Sequence, residues 1–563
     1  QVYWEKLPEV ADVYITSEGE NTMKKFIALI LASVMILCTL ALVSCGDNPQ
    51  KAETSDTTSA STAGSSETTK GTDGTTSGSQ QETTSSETTE TTDTTKGEET
   101  TDSETVLTGR EKHPDFKDVN FGGRTFHFVT QKGWSGGWDC YEIYAEATGS
   151  DSMITEAIIT RNSVIESLYN CKIKETKSDD TRVLISNDRA TGQHNYDLSM
   201  RLMFEYGMPA YNIAALDIDL SHSWWNQDFL DTFSFTRNGT KIVHSLSGKF
   251  NLIMYDSIIT MFADMDIYDR AKASGKTDID LYQTVKDGKW TVDKMLKLME
   301  AAKVDVNGNS TISYDDGDIC GLLINPNTRC QYGLFYGFGL KTVIKNENDE
   351  YECIDSNNTD LSRISSLIDL ASSVYKSPAL GQTGELKSVQ ALADGQSLFN
   401  VQWLIRLHSD EELENYGIDF SEKRLSVIPF PKYDESQENY GTYVSARGYG
   451  IRVPDTVVDL KEISQFLEVF GYHSEKLLYP QYVKSLKTQS LCDEGAGEKL
   501  EIVLNSLNFD YGNFEENTGF ISRIGEMIIS GKNNLSKAAA SAAKVANAAL
   551  ENAMNVSYEK MNR

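Results

Sequence analysis

Residues 151–173 read DSMITEAIITRNSVIESLYNCKI, and the fold turns on that stretch. Ile154, Ala157, Ile158, Ile165 and Leu168 fall on one stripe at helical spacing, and Asp151 or Ser152 stands where a helix cap is expected. Upstream, residues 124–130 (RTFHFVT) alternate, with Phe126 and Phe128 on one face. That is the pattern of a half-buried strand, and it follows the Gly122-Gly123 turn, where order is expected to begin. Downstream, Lys172-Ile173 and Tyr196-Asp197-Leu198 read as short buried strands. Strand, helix, strand in this rhythm predicts βαβ units on a mainly parallel sheet.

Further along, Trp290, Met295, Leu298, Met299 and Ala302 share the face of a helix that starts near Thr291. More helices are expected over 361–375, 460–471, 474–479 and 536–561, and a strand over 425–430. The whole is an α/β chain with a helix-rich C-terminal third and no internal repeat.

The series Asp151, Ala157, Arg161-Asn162, Tyr169-Asn170, Ile173 and Tyr196-Asp197-Leu198 resembles the extracellular solute-binding proteins of carbohydrate ABC transporters. Trp224-Trp225-Asn226, Lys289-Trp290-Thr291, Pro429-Phe430-Pro431-Lys432, Tyr443, Gly448-Tyr449-Gly450-Ile451, Tyr482 and Asp493 continue the pattern in order. The resemblance implies a two-lobed, periplasmic-binding-protein-like fold of type 2, with a ligand held between the lobes. Lobe one is expected at 109–245 with 386–435, and lobe two at 246–385 with 436–563.

Ahead of this body, Lys24-Lys25 precede an apolar run that ends in Leu42-Val43-Ser44-Cys45, which resembles the lipobox of bacterial lipoproteins. That implies a signal peptide at 23–44, cleavage before Cys45 and a lipid on its thiol, including palmitate; residues 1–22 are expected to be a non-native upstream extension. Residues 45–108 are rich in Ser, Thr and Glu and too poor in apolar groups to offset ordering entropy. A flexible coil of this size reaches about 45 Å, so the expectation is a tether holding the body at the extracellular face of the cytoplasmic membrane.

The net charge of −31 disfavours nucleic acid and polyanionic ligands. Six cysteines follow Cys45, and Cys320 with Cys330 is the most local candidate pair for a disulfide, buried thiols being the alternative. A sugar site needs flat aromatic faces and polar groups for hydroxyls. Trp134 and Trp138 lie in a Gly-rich loop directly after the first strand, where open α/β sheets hold ligands. Trp225, Phe335, Trp403, Arg447 and Tyr449 are the further candidates.

Asp305, Asn307, Asn309 and Asp316 have the spacing of a calcium loop, with Ser310 where glycine is usual. There is no HExxH or phosphate-loop motif. The expectation is therefore a non-enzymatic carbohydrate receptor, without a required cofactor, that delivers its ligand to an ABC permease. A lipid-anchored glycoside-active enzyme and a glycan sensor or adhesin are the alternatives.

Overall fold

The computed structural model describes residues 107–133, 138–149, 152–202, 210–407, 417–420, 423–446, 448–489, 495–514 and 519–561. The upstream extension, the leader, Cys45 and the Ser/Thr-rich stretch as far as residue 106 lie outside the described residues. Order begins before the Gly122-Gly123 turn: Phe116, Val119 and Phe121 are already buried.

Alternation gives β1 (Arg124–Gln131), whose Phe126 and Phe128 are fully buried. The helix Met153–Tyr169 follows. Ser152 Oγ accepts the Thr155 N–H at 3.2 Å to cap it, and Asn170 ends it at φ 51°, a left-handed position that asparagine tolerates better than most residues. β2 (Cys171–Ser178) then lies parallel to β1 with Phe126 opposite Ile173, and β3 (Leu198–Leu202) lies parallel on the other side with Leu198 opposite Phe128. The quoted stretch is thus the crossover of a βαβ unit.

The chain next leaves this sheet through the hairpin β4 (Ser234–Arg237) and β5 (Thr240–Val243) and the helix Leu252–Asp256. β6 (Ile258–Asp264) opens a second sheet. β7 (Cys320–Ile324), the hairpin β8 (Val343–Lys345) and β9 (Tyr351–Cys353), β10 (Leu380–Gln382), β11 (Ser397–Trp403), β12 (Leu425–Ile428) and β13 (Thr442–Val444) follow. β14 (Tyr449–Arg452) returns to the first sheet, antiparallel to β3, and β15 (Leu507–Asn508) returns to the second beside β13. The orders are β14-β3-β1-β2 and β10-β7-β11-β6-β13-β15, with β12 also on β6. Two α/β sheets joined by three passages of the chain make the two-lobed, periplasmic-binding-protein-like architecture.

Lobe membership corrects the expected boundaries. Residues 386–435, expected with 109–245, contain β11, which lies between β7 and β6 with Phe399 opposite Leu322 and Ala263. Residues 449–473, expected in the second lobe, supply β14 and the helix Leu460–His473, whose Phe466 stacks on Phe126 with ring centroids 3.9 Å apart. Buried strands pair with whichever apolar edge they reach in space, and periodicity along the chain does not encode that choice.

One apolar cluster joins the first sheet to the helix Leu460–His473. A larger one fills the second lobe and reaches the first through Val129, Ile154, Ala157, Ile158 and Ile185. Each fully buried Ile, Leu or Phe contributes about 1.5–3 kcal/mol. Cys140, Cys171, Cys320, Cys330 and Cys353 are buried free thiols, so Cys320 and Cys330 are not bonded; they stand at opposite ends of the segment running from β7 to the next helix. Among the described residues no helix is long and apolar enough to cross a membrane.

Candidate functional site

In an open α/β sheet the crevice outside the carboxyl ends of the strands is the natural place for a ligand, and here two such edges meet. From the first sheet, β1 runs into Lys132 and Gly133 and then the loop carrying Trp138. Gly133 is required there, because a Cβ would stand 2.4 Å from the Trp138 carbonyl oxygen, and its N–H closes the loop on Asp139 Oδ1 at 2.7 Å. From the second sheet, β11 ends on Trp403. The Trp138 and Trp403 rings meet edge to face, centroids 5.0 Å apart and planes at 75°. Tyr449, the first residue of β14, donates its hydroxyl to the Trp138 carbonyl at 3.2 Å.

Three of the seven expected ligand residues therefore converge where the lobes touch. Trp138 is half-buried and packs against both apolar clusters; Trp403 and Tyr449 are buried. Trp225 and Phe335 are not part of this group, which corrects their placement at the crevice. Trp225 sits in the first cluster with its Nε1–H donated to the Asp219 carbonyl at 3.1 Å and Phe250 as neighbour. Phe335 sits in the second cluster against Tyr336. Both rings are buried in those clusters. Trp134 and Arg447 lie outside the described residues.

The second edge also carries a polar cluster. The turn Pro326–Thr328 after β7 supplies Asn327, the helix Glu385–Asp394 after β10 supplies Glu385, and the turn Leu404–Leu407 after Trp403 supplies Arg406. Asn327 Nδ2 donates to Glu385 Oε2 at 2.6 Å, and Arg406 Nη2 lies 3.1 Å from Glu385 Oε1. The three parallel strands β7, β10 and β11 are neighbours, so the segments after β7 and β11 each bring one side chain to the carboxylate that follows β10. Sequence reasoning missed these residues because nothing along the chain announces which strands adjoin.

Behind the tryptophans, Tyr141 and Tyr482 each donate a hydroxyl to Asp256, both at 2.8 Å. Glu142 accepts the N–H of Tyr141 at 2.9 Å and of Ile253 at 3.2 Å. Burial pushes the Glu142 carboxyl up to about 7, although those N–H groups pull the other way. Arg161 donates to the Glu142 and Ile143 carbonyls, both at 2.8 Å, with its guanidinium 4.3 Å from the Phe470 ring centroid. Burial lowers it to about 9 against the opposing charge of Glu142. These groups fix the Trp138 loop to the helix Leu252–Asp256, through which the chain passes between lobes.

In the loop at 305–316, Asp305 accepts the N–H groups of Gly308 and Ser310 at 2.7 Å each, and Asn307 and Asn309 accept those of Asn309 and Thr311. Asn309 also donates to Asp316 at 3.2 Å, and Ser310 adopts φ 68°. Among the described residues no group of three or more His, Cys, Asp or Glu side chains is placed to hold a metal ion. Grooves of about 860 Å³ beside Lys276, Asp293 and Glu300, and of about 830 Å³ beside Asp228, Tyr440 and Asn508, contain none of the seven expected ligand residues.

No protein-family model matches the sequence, and no curated protein matches it. Among solved structures the chain is similar to a sugar transporter protein from Rhizobium etli in an open conformation, at 11% identity over 75% of this chain and 99% of that one, with a TM-score of 0.48. It is similar to the cyclic alpha-maltosyl-1,6-maltose binding protein from Arthrobacter globiformis at 8% identity, covering 77% and 100%, with a TM-score of 0.47. It is also similar to the galacto-N-biose/lacto-N-biose I-binding protein from Bifidobacterium longum at 12% identity, covering 77% and 98%, with a TM-score of 0.45. At these identities and scores, the reading of the site rests on the chain's own residues.

Proposed function

We propose that this chain is a carbohydrate-binding receptor that closes two lobes on an oligosaccharide and hands it to an ABC permease. The observation that carries the reading is the Trp138–Trp403 pair: two indoles, one from each lobe, in contact at the carboxyl edges of both sheets. Aromatic faces suit the C–H surfaces of sugar rings, and a ligand that touches both lobes draws them together by its differential affinity for the closed arrangement. Cys45 carries the lipid anchor in this reading, and the Ser/Thr-rich stretch expected over 45–108 is the tether that leaves the body room to swing at the outer surface of the membrane.

Titration calorimetry with a panel of neutral oligosaccharides tests the receptor reading. It expects a saturable ligand that is recovered unchanged, with binding weakened at least about tenfold by Trp138→Ala, the loss of one stacked ring. Hydrolysis products would make the chain an enzyme instead. Radiolabelled palmitate retained by the wild type and lost in Cys45→Ala tests the anchor separately.

A further inference from the structure

The contact at the crevice edge that the sequence did not disclose is an ion pair with an amide beside it. Arg406 and Glu385 lie 3.1 Å apart, and Asn327 donates to the other carboxylate oxygen at 2.6 Å. The Arg406 side chain is 5% exposed and that of Glu385 29% exposed, so the pair is partly withdrawn from water. Charge–charge interactions are then stronger than at a free surface. The cluster starts three residues beyond Trp403, on the edge that the first lobe meets through Trp138.

We propose that the Glu385–Arg406–Asn327 cluster is the hydroxyl-reading element of the crevice, and that its opposed charges restrict the ligand to neutral sugars. The inference rests on the receptor reading above and names the ligand class for the same site. The chemistry follows from the groups. A carboxylate accepts hydrogen bonds from adjacent hydroxyls, a guanidinium donates in a rigid plane to hydroxyl and ring oxygens, and a carboxamide does either. A sugar diol satisfies all three without adding charge. A uronate or an ammonium drawn to one member of the pair meets the like charge of the other about 3 Å further on, so its attraction is offset while the cost of withdrawing the added charge from water is not. Such repulsion is how a site rejects a near-isosteric competitor.

The test is a change of specificity rather than a loss of binding. The probes are maltotriose, cellotriose and xylotriose as neutral ligands, trigalacturonate as the anionic one and triglucosamine as the cationic one. The wild-type chain is expected to bind at least one neutral probe and neither charged one. Glu385→Gln removes a negative charge beside Arg406 and is expected to bind trigalacturonate at least about tenfold more tightly than the wild type. Arg406→Gln is expected to gain triglucosamine by a similar factor.

Asn327→Asp leaves the ion pair in place, adds a negative charge, and is expected to move preference in the same direction as Arg406→Gln. It guards against a folding defect at the more buried arginine, and thermal unfolding of all three variants checks that they remain folded. Variants that retain the wild-type order of preference, or a wild type that prefers a charged probe, overturn the proposal while leaving carbohydrate binding intact. A wild type that binds none of the five probes removes the receptor reading for these sugars and this inference with it.

Discussion

His473 is held as a neutral ring. Its Nδ1 lies 2.8 Å from the Gly109 carbonyl, which can only accept, so Nδ1 carries the proton; Nε2 then accepts the Tyr169 hydroxyl at 3.2 Å. Burial lowers its pKa to about 4. Below the ordinary histidine value of about 6.5 the unfolded chain takes up a proton that the folded chain refuses, so the stability this ring contributes falls as pH drops from about 6.5 to about 4. Glu142 has the opposite sign. Its raised carboxyl keeps a proton that the unfolded chain has lost, a contribution complete below the ordinary carboxyl range and lost as pH rises through about 7. The two offset each other in the wild type between pH 7 and 4.5, so the histidine is best read by difference. Urea unfolding of wild type and His473→Gln should show the wild-type advantage shrinking by about 3 kcal/mol between pH 7 and pH 4. An advantage that does not vary with pH would mean the ring titrates normally.

The helix Met153–Tyr169 shows what was legible at the scale of an element. Its apolar spacing, cap and following strand were all readable, because period and capping are local properties. Its buried face also includes Arg161 and Asn162, which no hydrophobic pattern reveals. They are buried because the loop before the helix returns three backbone contacts: Arg161 holds the Glu142 and Ile143 carbonyls, and Asn162 holds Ile143 again at 3.0 Å. The same limit hid the lobe of β11 and the Asn327–Glu385–Arg406 cluster, since both depend on partners that only the sheet order brings near. Trp138, Trp403 and Tyr449 were legible as residue types suited to a sugar, but their meeting was not. Arg161→Leu keeps the apolar stem and removes the donors, leaving the buried Glu142 carbonyl without its partner and the Ile143 carbonyl with Asn162 alone. Chemical unfolding should register a loss of about 3 kcal/mol. Arg161→Lys, which cannot reach both carbonyls with a planar group, should recover only part of it. A near-neutral Arg161→Leu would mean that water replaces the guanidinium.

At the scale of the whole molecule, the receptor reading makes opening and ligand entry one event, because the two indoles are in contact. A sugar that stacks on Trp138 and Trp403 must first part the rings, so it gains two stacking faces and forfeits one ring–ring contact of about 0.5–1.5 kcal/mol. Removing either tryptophan alone costs the sugar one face but also spares it the work of parting the pair. Removing both costs two faces and spares that work only once. The binding energies are therefore expected to be non-additive in a defined direction: Trp138→Ala with Trp403→Ala should weaken an oligosaccharide by about 1 kcal/mol more than the sum of the single losses. Calorimetry on the wild type, the two single variants and the double variant measures that term. If the tryptophans only pack the lobes together and the sugar binds elsewhere, the singles will leave affinity nearly unchanged. Small-angle scattering adds the conformational half of the same expectation, since a ligand that spans both lobes should compact the wild type, and should do so less in the double variant, whose lobes have lost the faces that the sugar bridges.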